Sequence, residues 1–275
     1  MAGERLKKDL IRKPELWNLA MKFERDAVQV VLYSPLEENS LIYRELALDP
    51  DAASYVASVE DAVYDNPLLL SDFQRVSCVV DSPVFMAVPK DVEDLNDRED
   101  MLLATFPGFD GEIYENDLSS RDAVMMVGLE KELSGFLART FFNCRVYHHL
   151  TPLCRYFLAE SRRGNTRRMY ANLRGDSLDV LAFDHGKLLV ANTFEYREPT
   201  DAIYYILATF TSLGLDRMAD ELLLSGDAGV REKITPDLRN YVSYVMPVIF
   251  PSTMFRAGRD AMQAPFDLII LPLCE

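Results

Sequence analysis

Glycine is scarce in the part of the chain where a phosphate-binding loop would need it. The 275 residues include 12 glycines, and none falls between Gly3 and Gly108. A loop that cradles phosphate on bare glycine backbone is therefore excluded from that stretch. Cysteine is equally sparse. Cys78, Cys144, Cys154 and Cys274 include no pair at C-x-x-C spacing, so they read as buried free thiols in a reducing compartment. No apolar run approaches the length of about 18 residues that a membrane-spanning helix needs. The charged start, Met1 to Lys8, is not followed by an apolar stretch, because Arg12, Lys13, Pro14 and Glu15 interrupt Leu10 to Leu16. No secretory signal is expected, and the predicted location is the cytoplasm. Positive charge is also short: 29 Lys and Arg face 44 Asp and Glu, for a net charge of -15. Such a surface repels phosphate, which argues against nucleic-acid or anionic-membrane partners and is read as serving solubility.

What is present is a well-patterned α/β chain. Hydrophobic residues make up 49% of it, enough for one large core or two smaller ones. The clearest stretch runs from Met169 to Gly226. Met169 to Leu173 is a short strand, Arg174-Gly175-Asp176-Ser177 a turn, and Leu178 to Phe183 a nearly continuous apolar strand of the kind covered on both faces. Asp184-His185-Gly186 is a tight hairpin, and Lys187 to Tyr196 a third strand. Pro199 opens a helix that Gly214 closes, with Ile203, Ile206, Leu207, Phe210 and Leu213 on one stripe. Tyr204 and Tyr205 adjoin that stripe, so two faces of the helix are apolar and it is expected either to be buried on both sides or to present an interface. A short strand, Leu222 to Leu224, ends at Gly226.

The same order occurs earlier. Strands are predicted at Leu16–Phe23, Ala27–Tyr33 and Leu41–Leu48, a helix near Ala53–Tyr64 and a buried strand at Arg75–Val80. The two series are offset by roughly 150 residues. This is a repeat of pattern, not of side chains, and it predicts two related lobes. Residues 1–15 form an extension, 16–164 the first lobe and 165–275 the second.

Between and after these series, Val84–Pro89 and Ala123–Leu129 read as strands, and Asp91–Met101 as a solvated helix or loop. Phe106–Ser120 reads as a loop, Glu132–Phe142 as a helix, Arg145–Leu150 as a strand, and Thr151-Pro152 as the start of a helix reaching Arg162. In the second lobe, Thr235-Pro236 is predicted to open a helix, Val245–Phe250 to be an edge strand or extended loop, and Phe266–Leu271 to be the last strand.

Three strands, a helix, a strand, a helix and a strand make up the ribonuclease H-like unit, and two in tandem resemble the actin-like ATPase fold. Four stretches carry a closer resemblance, to an uncharacterised bacterial family of that fold that is distantly similar to pilus-assembly proteins. They are Val84–Pro89, Gly186–Phe194, Asp201–Leu207 and the ending Pro265–Glu275. The resemblance covers Leu16 to Glu275 and includes no catalytic motif. It implies ATP between the lobes, held by a Gly-rich hairpin in each, with an Asp on each first strand for Mg²⁺ and a strand-Gly-Gly turn for adenosine.

The residues depart from that pattern. The first hairpin is Glu24-Arg25-Asp26, whose carboxylates repel phosphate, and Ala20 and Met21 stand where an Asp is wanted. The second keeps Asn172, Arg174, Gly175 and Ser177, and the adenosine turn keeps Gly226. These five residues are the candidate remnant nucleotide site.

Other chemistry is weaker. Asp179 and Asp184 have no evident partners for a two-metal nuclease. His148 and His149, read as strand neighbours, point to opposite faces and cannot share a metal. Arg155, Arg162, Arg163, Arg167 and Arg168, with Arg145 and Arg174 near them, cluster between the lobes, either as a solvated helix end or as a site for an acidic peptide or anion.

The sequence thus predicts a non-catalytic interaction protein with a degenerate nucleotide site, no cofactor, and a protein or peptide partner. The alternative is an ATP-binding switch or weak ATPase using the remnant site with Mg²⁺.

Overall fold

Pro14 cannot donate a backbone hydrogen bond, and a 3-10 turn at Pro14–Leu16 delays the first strand to Asn18. From there the computed structural model, which describes residues 5–92, 94–118, 123–251 and 256–274, follows the predicted order closely. β1 (Asn18–Phe23), β2 (Ala27–Tyr33) and β3 (Ile42–Ala47) form an antiparallel meander. α1 (Tyr55–Tyr64) follows, its N-terminus capped by the Ser54 side chain on Ala57 N–H. β4 (Arg75–Val80) and β8 (Arg145–His148) then add in parallel, giving the order β3-β2-β1-β4-β8.

The second lobe repeats this topology. β9 (Arg168–Arg174), β10 (Ser177–Asp184) and β11 (Lys187–Glu195) form the meander. β12 (Glu221–Gly226) and β13 (Tyr244–Pro247) run parallel to β9, in the order β11-β10-β9-β12-β13. The mixed α/β class and the paired lobes are therefore as the sequence indicated. A three-stranded sheet of β5 (Phe85–Pro89), β7 (Ala123–Glu130) and β6 (Gly111–Asp117), with α2 (Leu95–Thr105), is inserted in the first lobe. α3 (Lys131–Thr140) follows β7.

Four predictions need correction. β6 lies within the stretch expected to be a loop. Its strand is built from Gly111, Ile113 and Tyr114 among Glu, Asn and Asp, so it lacks an apolar run, and only the backbone pairing with β7 reveals it. The end of that predicted loop, residues 119–120, lies outside the described residues, as do 1–4 of the extension and residue 275.

Pro236 does not open a helix. It lies inside α6 (Ala228–Arg239), which is capped by Asp227, whose carboxylate accepts from Val230 N–H. The expected last strand is α7 (Phe266–Ile270), followed by a 3-10 turn at Leu271–Leu273. An apolar run buried on all sides has neither period, so its sequence does not separate strand from helix. β8 ends at His148, one residue before the strand was expected to turn the next histidine to the other face.

α4 (Leu150–Ser161) joins the lobes. Its Phe157 stacks on Tyr170 of β9 with ring centroids 3.8 Å apart and packs near Phe266 of α7. The closing segment thus follows the second lobe in sequence yet packs in the first lobe's core, beside α4 and β1. A separate cluster fills the space between the second sheet, α5 (Pro199–Ser212) and α6. α5 buries Ala202, Ile206 and Phe210 there, while Tyr205 stacks on Phe194 at 4.7 Å and Tyr204 stays exposed.

Among the described residues no helix is long and apolar enough to cross a membrane.

Candidate functional site

The strand ends that meet between the lobes carry charge, and much of it is paired. Arg174, at the end of β9, is the centre. Its Nε donates to Asp179 Oδ2 at 2.8 Å and its Nη2 to Asp179 Oδ1 at 3.1 Å, a bidentate pair within the second lobe. Its Nη1 crosses to the first lobe, donating to Asp81 Oδ2 at 2.8 Å and lying 3.8 Å from Glu24 Oε2. Asp81 follows β4 and Glu24 follows β1, so both acids are delivered by the C-terminal ends of parallel neighbouring strands.

Asp179 is fully buried on β10, and both of its oxygens accept from groups besides Arg174. Asn172 Nδ2 donates to its Oδ2 at 2.9 Å, and Thr193 Oγ1 donates to its Oδ1 at 3.0 Å. His149 Nε2 is 3.0 Å from the same Oδ1. The other ring nitrogen, His149 Nδ1, lies 3.1 Å from Asp81 Oδ1 but off the direction of a good hydrogen bond, so that contact is an ion contact.

Burial disfavours a charged His149, but the Asp179 and Asp81 carboxylates outweigh both burial and the nearby Arg174 and raise its pKa. Burial also opposes ionisation of Asp179 and Asp81, yet His149 and Arg174 hold both below the usual carboxylate range. His148 behaves oppositely. It stacks on Phe85 at 4.2 Å, donates from Nε2 to the Ser82 carbonyl at 3.0 Å, and is kept neutral by burial and by its neighbour His149.

The charge network continues through the first lobe. Lys22 is buried on β1, with Nζ 2.6 Å from Glu24 Oε1 and 2.7 Å from Asp267 Oδ2. Burial lowers its pKa and Arg174 adds to that, but the two acids prevail and raise it. Above the network lies an open cleft of about 1350 Å³.

The predicted site residues are brought to this place in part. Arg174, Gly175 and Ser177 line the cleft. Asn172 sits beneath it and is engaged on both sides, donating to Asp179 and accepting from Ser225 Oγ at 2.9 Å. Gly226 has φ +85°, and a Cβ there would lie 1.9 Å from the Leu173 carbonyl oxygen, so contact with β9 accounts for this glycine.

The two histidines are not on opposite faces. His148 ends β8, His149 stands at the start of α4, and their rings are 4.3 Å apart. Asp179, read as having no evident partners for a two-metal site, is engaged instead by Arg174, His149, Asn172 and Thr193. Periodicity does not show these contacts, because they are drawn from β9, β11 and the start of α4. The one local clue is an Asp inside an otherwise apolar strand.

The arginine cluster is mostly spent on acids and carbonyls. Arg167 pairs with Asp220, Arg168 with Glu221 and Arg163 with Glu160, while Arg155 Nε donates to the Asp117 carbonyl. Among the described residues no group of three or more His, Cys, Asp or Glu is arranged to hold a metal ion. The four cysteines are free, with Cys78 and Cys154 buried.

A family model described as "Protein of unknown function (DUF3822)" matches residues 7–245. The chain belongs to the DUF3822 family. No curated protein matches the DUF3822 chain significantly in sequence. Among solved structures it is similar to a Bacteroides thetaiotaomicron protein described as having an actin-like ATPase fold and unknown function. The two are 26% identical with a TM-score of 0.80, over 96% of this chain and 98% of the other. It is also similar to the type IV pilus biogenesis complex PilM-PilN, at 13% identity and a TM-score of 0.57, over 95% of this chain and 100% of that one. The DUF3822 protein thus has the actin-like ATPase fold.

Proposed function

We propose that this DUF3822 protein is a non-catalytic interaction protein whose interlobe cleft no longer serves ATP chemistry. The observation that carries the reading is Arg174. Its guanidinium lies among Asp179, Asp81 and Glu24 at the strand ends where an actin-like fold would be expected to place phosphates and metal. With Lys22 between Glu24 and Asp267, the chain supplies two cations of its own to neutralise these carboxylates.

Mg²⁺ would have to displace a bidentate, buried ion pair, and a triphosphate would meet Glu24, Asp26 and Asp176 on the cleft wall. These residues fit neither ligand well. The PilM-PilN complex is an instance of the fold in association with another protein. At that identity it speaks to fold, and the proposal for this chain rests on the cleft.

The competing reading, an ATP-binding switch or weak ATPase, draws on the open volume beside Gly175, where φ is +46° and a Cβ would meet no atom within 4 Å beyond its chain neighbours. Thermal denaturation with millimolar ATP, ADP and Mg²⁺ separates the two. The proposal expects no shift of the midpoint and no phosphate release. A ligand at about 100 times its Kd would add about 2.7 kcal/mol. A corresponding rise of several degrees, abolished by Gly175→Glu, would reject the proposal. Gly175 is the right position for that control, since Gly226 is needed by the backbone itself.

A further inference from the structure

A buried polar atom without a partner costs stability, so one kept at a pocket wall points to a group that enters the pocket. Tyr196, just past the end of β11, is such a case. It is 6% exposed, and its hydroxyl has no hydrogen-bond partner among the described residues. Its backbone position has a plain cause: Tyr196 N–H donates to the Asp176 carbonyl at 2.8 Å and extends the β10–β11 pairing by one residue. That pairing does nothing for the hydroxyl.

Tyr196 lines a pocket of about 890 Å³ between the β9–β10 turn, the end of β11 and the start of α5. Part of the wall is aromatic, with Phe194 stacked on Tyr205 at 4.7 Å. The rest is charged: Asp176, Glu195 and Asp201 stand against the single guanidinium of Arg197. Asp201 is spent on the backbone. Its Oδ2 accepts from Arg197 and Glu198 N–H at 3.1 and 3.0 Å and caps α5. This offsets the positive end of the helix dipole, which would otherwise repel a cation. Asp176 and Glu195 are exposed and make no ion pair among the described residues.

The sign of the missing group follows from these charges. Burial raises the pKa of Tyr196, and the Asp227 and Asp176 carboxylates raise it further, so the phenol stays protonated in a negative field. An anion is repelled there. A cation bearing N–H groups is attracted, finds an acceptor in the phenol oxygen and can rest on the aromatic pair. Among the described residues no group of three or more His, Cys, Asp or Glu is placed to hold a bare metal ion, which leaves an organic cation.

We infer that this pocket binds an alkylammonium group, which donates to the Tyr196 hydroxyl, is neutralised by Asp176 and Glu195, and lays its alkyl chain on Phe194 and Tyr205. Such a group is carried by a free polyamine or by a lysine of a partner protein. Tyr196 and the aromatic pair lie outside the Arg174 clamp, so the inference does not rest on the loss of ATP chemistry.

The test is isothermal titration calorimetry on the full chain at low ionic strength, where exposed carboxylates are least screened. The probes are spermidine, a blocked glycine-lysine-glycine peptide, and the same peptide with its lysine acetylated, which removes the charge. At least one ammonium probe is expected to bind with a Kd below about 1 mM, and the acetylated peptide at least about ten-fold more weakly. Binding of spermidine alone assigns the pocket to a free amine, and binding of the lysine peptide supports a partner's side chain. Tyr196→Phe should weaken the probe about ten-fold, the scale of a hydrogen bond to a charged group. It should not lower the melting midpoint, because the hydroxyl it removes has no partner in the free protein. Asp176→Asn with Glu195→Gln should weaken the probe about ten-fold or more. Asp97→Asn with Asp100→Asn, which removes the same charge from exposed positions on α2, should leave it unchanged.

Equal weakening by the two acidic pairs would reduce the attraction to the net charge of -15 and overturn the site. Full affinity in Tyr196→Phe would overturn the placement at the hydroxyl, and equal binding of the acetylated peptide would overturn the cation. No binding of either ammonium probe at about 10 mM would overturn the inference as a whole.

Discussion

Replacing Arg174 with methionine keeps most of the side-chain volume and removes its charge. The side chain is 15% exposed and its partner Asp179 is 0% exposed, so little of the interaction is screened by water. Removing one member of a buried pair leaves the other charge uncompensated and costs about 3–5 kcal/mol. His149, Asn172 and Thr193 still serve Asp179, which places the expected loss at the lower end, about 3 kcal/mol. For a chain of this size each 1 kcal/mol moves the midpoint by about 2–4 °C, so thermal denaturation at neutral pH should fall by about 6–12 °C. Asp81→Asn should cost much less, about 1 kcal/mol, because Asp81 is partly exposed and its attraction is screened. The double variant Arg174→Met, Asp179→Asn should recover much of the loss, since removing both charges avoids the unpaired one. A loss below about 1 kcal/mol for Arg174→Met, or no recovery in the double variant, would refute the account of a buried, mutually dependent clamp.

The pH dependence has a definite sign. His149, faced by Asp179, Asp81, Arg174 and His148, has a raised pKa, so its contribution is complete below about 6.5 and is lost as pH rises through the folded value. Asp81 and Asp179 have lowered values, so theirs is present above about 4 and is lost as pH falls through the folded values. Midpoints measured from acid to alkaline pH should therefore be highest between those limits, and His149→Gln should flatten the alkaline decline. Gly226→Ala should cost more than about 3 kcal/mol or prevent soluble expression, because its Cβ meets the Leu173 carbonyl oxygen at 1.9 Å with φ at +85°. Gly175→Ala, with open space around it, should cost only about 1 kcal/mol when both variants are unfolded in urea. Phe157→Ala should lose about 3–5 kcal/mol by the same measurement, because that ring joins α4 to Tyr170 and to Phe266.

Much of the architecture is legible in the amino acids. The strands at Arg75–Val80 and Ala27–Tyr33, the helix after Pro199 and the hairpin at Asp184–Gly186 each carry their cause locally, in period, turn chemistry or a cap. Their repeated order is enough to indicate two lobes. β6 and α7 escape such a reading for opposite reasons: one has too little apolar signal and the other has too much to show a period. The remnant residues Arg174, Gly175 and Ser177 do stand at the cleft, but what they do there is not visible in their order along the chain.

Sequence alone determined where the chain turns and which segments could be strands or helices, because those preferences act between residues a few positions apart. Tertiary structure alone decided that Asp179 of β10 would meet His149 at the start of α4 and Arg174 of β9, that Asp81 would lie across the cleft, and that Asn116 would close the β8 edge. Charges and hydrogen bonds are selected by distance in space, and separations of 30 or 93 residues along the chain leave no periodic trace of them.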